Sequence, residues 1–103
     1  MKYEVRVLRR AERDLEEIQR YIAQDSPFPS DQVASTTIDR LLDRIESLER
    51  LPRRGARPRD ERLRRNDYRF VMEPPYLIFY KIRKSQVWVY RILHGKRAYE
   101  RIL

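Results

Sequence analysis

The chain has 103 residues, 24 Lys plus Arg against 16 Asp plus Glu, one His and no Cys, for a formal net charge of +8. That length fits one domain, because chains divide only beyond about 250 residues. The charged fraction of 39% and hydrophobic fraction of 41% argue against both a membrane protein and a disordered chain, and no apolar run approaches the ~20 residues of a spanning helix.

Tyr3 to Leu8 reads as a first strand, with Tyr3, Val5 and Val7 alternating against Glu4 and Arg6. A helix follows over Ala11 to Gln24, where Ala11, Leu15, Ile18 and Ile22 form one stripe. Two prolines in Asp25-Ser26-Pro27-Phe28-Pro29-Ser30 break it. A longer helix is predicted over Asp31 to Leu51, capped by Ser30 or Asp31, with its stripe at Ala34, Ile38, Leu41, Ile45 and Leu48. The two helices form an αα-hairpin that must cover an apolar surface elsewhere.

Pro52 to Asp67 reads as an Arg-rich surface loop of little apolar content. Three strands follow: Tyr68 to Glu73, Tyr76 to Ile82 and Gln86 to Leu93. The middle one, YLIFYKI, is almost continuously apolar, as a strand covered on both faces is. The short connections predict an antiparallel meander. Lys96 to Leu103 is a basic tail with room for one or two helical turns. The expected fold is α+β: strand, two-helix hairpin, then a three-stranded antiparallel meander, with the helices packed on one sheet face. Tyr76, Ile78, Tyr80 and Ile82 share one face. Leu77, Phe79 and Lys81 share the other, which is then an apolar face with basic edges, expected to be covered by an acidic partner.

The cations are mostly of one kind, 20 Arg to 4 Lys. Arginine suits bidentate contact with phosphate or carboxylate, so nucleic acid or an acidic protein is the expected partner; a composition set by a GC-rich genome is the alternative. Arg50 to Arg69 alone holds nine Arg against Asp60, Glu61 and Asp67, a net +6 that self-pairing cannot neutralise. Aromatic side chains such as Tyr76, Phe79, Tyr90 and Tyr99 alternate with basic ones through the last strands and tail, a pattern that serves either base stacking or a core. With two Gly there is no phosphate-cradling loop, and one His with no Cys leaves no metal cluster. No metal and no cofactor are expected. His94 is either a general acid or base or a cap on the end of the last strand. The opening MKYEVRVLRR reads as a charged strand rather than a secretory signal, so a cytoplasmic location is expected.

YLIFYKI, a turn, VWVYRILHGKR and a short tail resemble the C-terminal signature of the RelE/ParE toxin superfamily. AERDLEEIQRYIA is similar to the superfamily's first helix, and LLDRIESLERLPRRGARPR to its second helix and following loop. The resemblance spans nearly the whole chain, and RILHGKR after an aromatic strand is most similar to the ParE branch. It implies a toxin of a type II toxin–antitoxin pair, held in a hetero-oligomer by a ParD-like antitoxin. Two activities come with it: ribosome-dependent mRNA cleavage in the RelE branch, and poisoning of DNA gyrase in the ParE branch. Of the RelE cleavage positions, Arg69 and Arg97 match. The next sheet position is Val71, the one early in the following strand is Leu77, and the tail Tyr falls at about Leu103 with Tyr99 near it. Two matches and three departures favour the ParE reading, since loss of one transition-state contact alone can cost ~10²-fold.

The resemblance thus implies an inhibitor acting by binding. The residues expected to meet the gyrase–DNA target are Arg64, Arg65, Arg69, His94, Lys96, Arg97 and Arg101. Those expected to meet the antitoxin are Leu15, Tyr21, Leu77, Phe79 and Arg91. Were the chain a metal-free endoribonuclease of ribosome-bound mRNA instead, Arg69, Arg97 and Tyr99 would be its catalytic set. A non-toxic interaction module and a general RNA-binding domain are the further alternatives.

Overall fold

The computed structural model describes residues 2–97 and 99–103, with Glu100 as backbone only. The elements are β1 (Glu4–Val7), α1 (Arg9–Arg20), α2 (Asp31–Glu46), a five-residue helix α3 (Glu61–Arg65), β2 (Arg69–Glu73), β3 (Tyr76–Arg83), β4 (Gln86–His94) and α4 (Tyr99–Ile102). The four strands form one sheet in the order β1-β4-β3-β2. β2, β3 and β4 are the expected antiparallel meander. β1 joins parallel to β4, with Val5 opposite Val87 and Val7 opposite Val89. Because β1 and β2 lie at opposite edges, the connection between them must cross the whole sheet, and the α1–α2 hairpin is that crossing.

The hairpin's stripe lands as the periodicity predicts. Ala11, Leu41, Ile45 and Leu48 pack against Val71, Ile78, Tyr80, Val87, Val89 and Ile92 of the sheet. Each large side chain buried there contributes about 1.5–3 kcal/mol. The helix ends differ from the sequence expectation for local reasons. α1 starts at Arg9, with Leu8 N–H donating to the Val89 carbonyl at 3.0 Å while the Leu8 carbonyl accepts from Glu12 N–H at 3.0 Å. It closes in a wide turn over Tyr21–Asp25, in which Ser26 N–H donates to the Tyr21 carbonyl at 2.8 Å. Ser30 caps α2 by accepting from Val33 N–H at 3.1 Å. α2 stops at Glu46, not Leu51, where the Ser47 hydroxyl donates to the Arg44 carbonyl at 2.6 Å and competes with the helical ladder. The chain tightens into a 3₁₀ turn over Ser47–Glu49 that still buries Leu48.

Two corrections concern the second sheet face. The Arg-rich segment is not merely a loop: Asp60 accepts from Leu63 N–H at 3.0 Å and starts α3, whose Leu63 is fully buried. Nor is that face bare. Leu63, Tyr68, Leu77, Phe79 and Leu93 form a second core, with Phe70, Tyr90, Tyr99, Ile102 and Leu103 packed against it. The chain's own α3 and tail supply the cover that the apolar pattern demanded. No helix among the described residues is long and apolar enough to cross a membrane.

Candidate functional site

Two clefts hold four of the predicted site residues, Tyr21, His94 and Arg97 in one and Arg69 in the other. The first lies between α1 and the sheet, where β3 begins and β4 ends. It encloses about 410 Å³ and is lined by Asp14, Glu17, Ile18, Tyr21, Tyr76, Ile92, His94 and Arg97. Tyr21 is 52% exposed there. The Tyr76 and His94 rings meet edge to face at 5.7 Å. His94 Nδ1 accepts from Lys96 N–H at 3.1 Å, so the residue caps the turn after β4. Arg97 and Lys96 are exposed beside it. The cleft has apolar walls, a cationic lip and the carboxylate of Glu17.

Asp14 forms its floor and was not singled out by the sequence reading. Only 3% exposed, it accepts from Arg91 Nε at 2.8 Å, Arg91 Nη2 at 3.1 Å and Ile92 N–H at 2.9 Å. This fork-to-fork pair ties α1 to β4. One signal was available: Asp14 lies on the buried stripe, between Ala11 and Ile18, where a carboxylate requires partners.

The second cleft opens at the corner where β2 begins and β3 ends. Arg53, Arg57, Arg69, Arg83, Asp67 and Ile82 line about 210 Å³. Arg53, Arg57 and Arg83 were not among the predicted site residues. Their Arg-rich surroundings were legible, but the strand pairing that brings Arg83 to Arg69 was not. Beside the cleft, Lys81 Nζ sits 4.3 Å from the Tyr68 ring centroid and 4.9 Å from that of Tyr90. Burial lowers the Lys81 pKa and Arg83 lowers it further, with Asp67 opposing both.

The predicted sets are divided by this geometry. Among the residues expected to meet the antitoxin, Tyr21 lies open in the first cleft and Leu15 is half-buried against the hairpin core. Leu77 and Phe79 are covered by α3 and the tail, with Phe79 against the Tyr99 ring at 5.0 Å, and Arg91 is engaged by Asp14. These five are therefore not one open face. Among the residues expected to meet the target, His94 and Arg97 share the first cleft and Lys96 adjoins it. Arg69 lies in the second cleft, adjacent to α3 with its Arg64 and Arg65, and Arg101 is exposed on α4. Arg65 pairs with Glu61 at 3.1 Å.

The three residues of the ribonuclease alternative do not converge. Arg69 pairs across from Tyr80, on the strand face that carries Val71 into the hairpin core. Tyr99 packs on the opposite sheet face. Arg97 lies at the β3 end where Tyr76 faces His94. Tyr76 and Tyr80 are four residues apart, roughly 13 Å along the strand, so Arg97 and Arg69 stand toward opposite ends of it.

Comparison with known proteins agrees with this architecture. A sequence model described as the ParE toxin of the type II toxin–antitoxin system parDE matches residues 5–99. The fold is similar to a chain of the chromosomal ParDE system from P. aeruginosa, at TM-score 0.70 and 17% identity, covering 90% of this chain and 96% of that one. It is also similar to a chain of the toxin–antitoxin complex RelBE2 from Mycobacterium tuberculosis, at TM-score 0.61 and 20% identity, covering 91% and 99%. No curated protein matches significantly. With 95 consecutive residues matched by the family model and the fold in agreement, this chain belongs to the ParE toxin family of type II toxin–antitoxin systems.

Proposed function

We propose that the protein inhibits DNA gyrase by binding, without RNA chemistry, and is neutralised by a ParD-like antitoxin. The dispersal of Arg69, Arg97 and Tyr99 carries this reading. Metal-free cleavage needs a base, an acid and cations around one scissile phosphate, and these three side chains lie at two ends and on two faces of the sheet. A binder has no such requirement.

The antitoxin segment is assigned to the first cleft. Ile18, Tyr21 and Tyr76 offer apolar anchors, while Arg97 and His94 favour acidic side chains. Lys96, Arg97 and Arg101 remain the proposed target contacts at the tail, and Arg64, Arg65 and Arg69 those at α3. The test is expression in cells carrying a reporter plasmid. Expression alone is expected to arrest growth and relax the plasmid, and co-expression of the adjacent antitoxin gene to restore both. Growth arrest with normal supercoiling and truncated mRNAs would contradict the proposal, as would normal growth.

A further inference from the structure

We infer that the corner cleft of Arg53, Arg57, Arg69 and Arg83 is a phosphodiester-binding site for duplex DNA. Asp67 is the one acid among the described residues that line it. Four arginines thus line a cleft that holds one carboxylate, and their mutual repulsion is relieved when an anion enters.

Three of the four cations are held in place. Arg57 Nη2 donates to the Arg64 carbonyl at 3.0 Å, and Arg69 Nη1 to the Gly55 carbonyl at 3.4 Å. Arg83 Nη1 donates to the Ile82 carbonyl at 3.3 Å and lies 3.8 Å from Asp67. A guanidinium has five N–H donors, so each of these groups keeps several to offer. The supporting loop is itself fixed. Ala56 and Phe70 exchange backbone hydrogen bonds at 2.9 and 3.0 Å, and the Tyr80 hydroxyl accepts from Gly55 N–H at 3.1 Å while donating to the Pro52 carbonyl at 2.6 Å. Donors already fixed in place lose little entropy on binding.

The surroundings favour a phosphate backbone over an acidic peptide. A docking peptide needs apolar anchors, and among the described residues Ile82 is the only apolar one lining this cleft, whereas the cleft at α1 offers several. The Arg57–Arg64 bond makes the cleft continuous with α3, so cations follow one another along the surface as the phosphates of a duplex do. The inference deepens the gyrase reading, on which it rests for its purpose: the toxin would have its own grip on the DNA that gyrase holds.

The test is fluorescence anisotropy of the full chain with a labelled mixed-sequence duplex of about 25 base pairs, over about 50–200 mM salt. The double variant Arg57→Gln/Arg83→Gln is expected to bind at least about 10-fold more weakly at low salt, with a salt slope shallower by about two. Both side chains are exposed, and circular dichroism melts are expected to show the fold unchanged. Arg13→Gln/Arg20→Gln on the exposed side of α1 is expected to stay within about twofold of the parent. Equal loss in both variants would mean diffuse charge attraction and overturn the site. So would an unchanged slope in the cleft variant, or a parent that binds polyglutamate but not the duplex. Because gyrase is absent, duplex binding without gyrase inhibition leaves the cleft standing and removes the gyrase reading. Gyrase inhibition with unaltered DNA binding in the cleft variant does the reverse.

Discussion

Asp14 and Arg91 are two opposite charges 3% and 11% exposed, with hydrogen bonds made to each other and to Ile92. Such a pair is weak support for stability as a unit, but removing one member strands the other. Asp14→Ala is expected to destabilise by about 3–5 kcal/mol in urea unfolding. The paired replacement Asp14→Leu/Arg91→Met should recover much of that loss. Equal losses in the single and paired variants would show that the ion pair is not the source. Three phenols make a second prediction. Burial raises the pKa of Tyr68, Tyr76 and Tyr80, the Gly55 backbone hydrogen bond and nearby Arg side chains partly offsetting it at Tyr80. The unfolded chain therefore ionises first, near the ordinary value of about 10. Their contribution is complete below that pH and is lost as pH rises through the higher folded values. Lys81, lowered by burial, acts in the opposite sense but is one group against three. Urea midpoints are expected to fall above pH ~10, and by less in Tyr80→Phe.

Among the elements, α3 and its approach differ most from what the chain suggested. The hairpin and meander were legible because their periods are regular: Ala34, Ile38, Leu41 and Ile45 recur at helical spacing, and YLIFYKI is apolar on both faces. α3 has one buried residue in five, and no periodicity can be read from one Leu. The parallel pairing of β1 with β4 and the lining of the two clefts depend on contacts distant in sequence, which local patterns do not carry. Leu63→Ala should cost about 2–5 kcal/mol, on a par with Ile45→Ala in the hairpin core, because both remove a buried large side chain. A negligible loss at Leu63 would mean that α3 does not cover the sheet. Gly55 is constrained by approach: a Cβ there would overlap the Tyr80 hydroxyl and stand 2.7 Å from the Phe70 carbonyl oxygen. Gly55→Ala is expected to lower stability by about 1–3 kcal/mol, measured by thermal melt. DNA binding should weaken with it, because Arg69 anchors on the Gly55 carbonyl.

At the scale of the whole molecule, the net charge of +8 resolves into separate surfaces. One is the lip of the α1 cleft, another the four-arginine corner, and the hairpin core holds them apart on a single sheet. Under the proposed function, these separate surfaces would let one small domain meet an antitoxin and a target at different places. Arg97 is exposed and lines its cleft without a core role. Arg97→Ala is therefore expected to weaken growth arrest while leaving the melting temperature within about 2 °C, a stability change of at most ~0.5 kcal/mol. A large loss of stability would place Arg97 in the scaffold instead. The most direct test of the central claim pairs two assays on the purified protein, gyrase supercoiling and ribosome-dependent mRNA cleavage. Inhibited supercoiling with intact mRNA, relieved by stoichiometric antitoxin, is the predicted result. Codon-specific cleavage on the ribosome with normal supercoiling would contradict it.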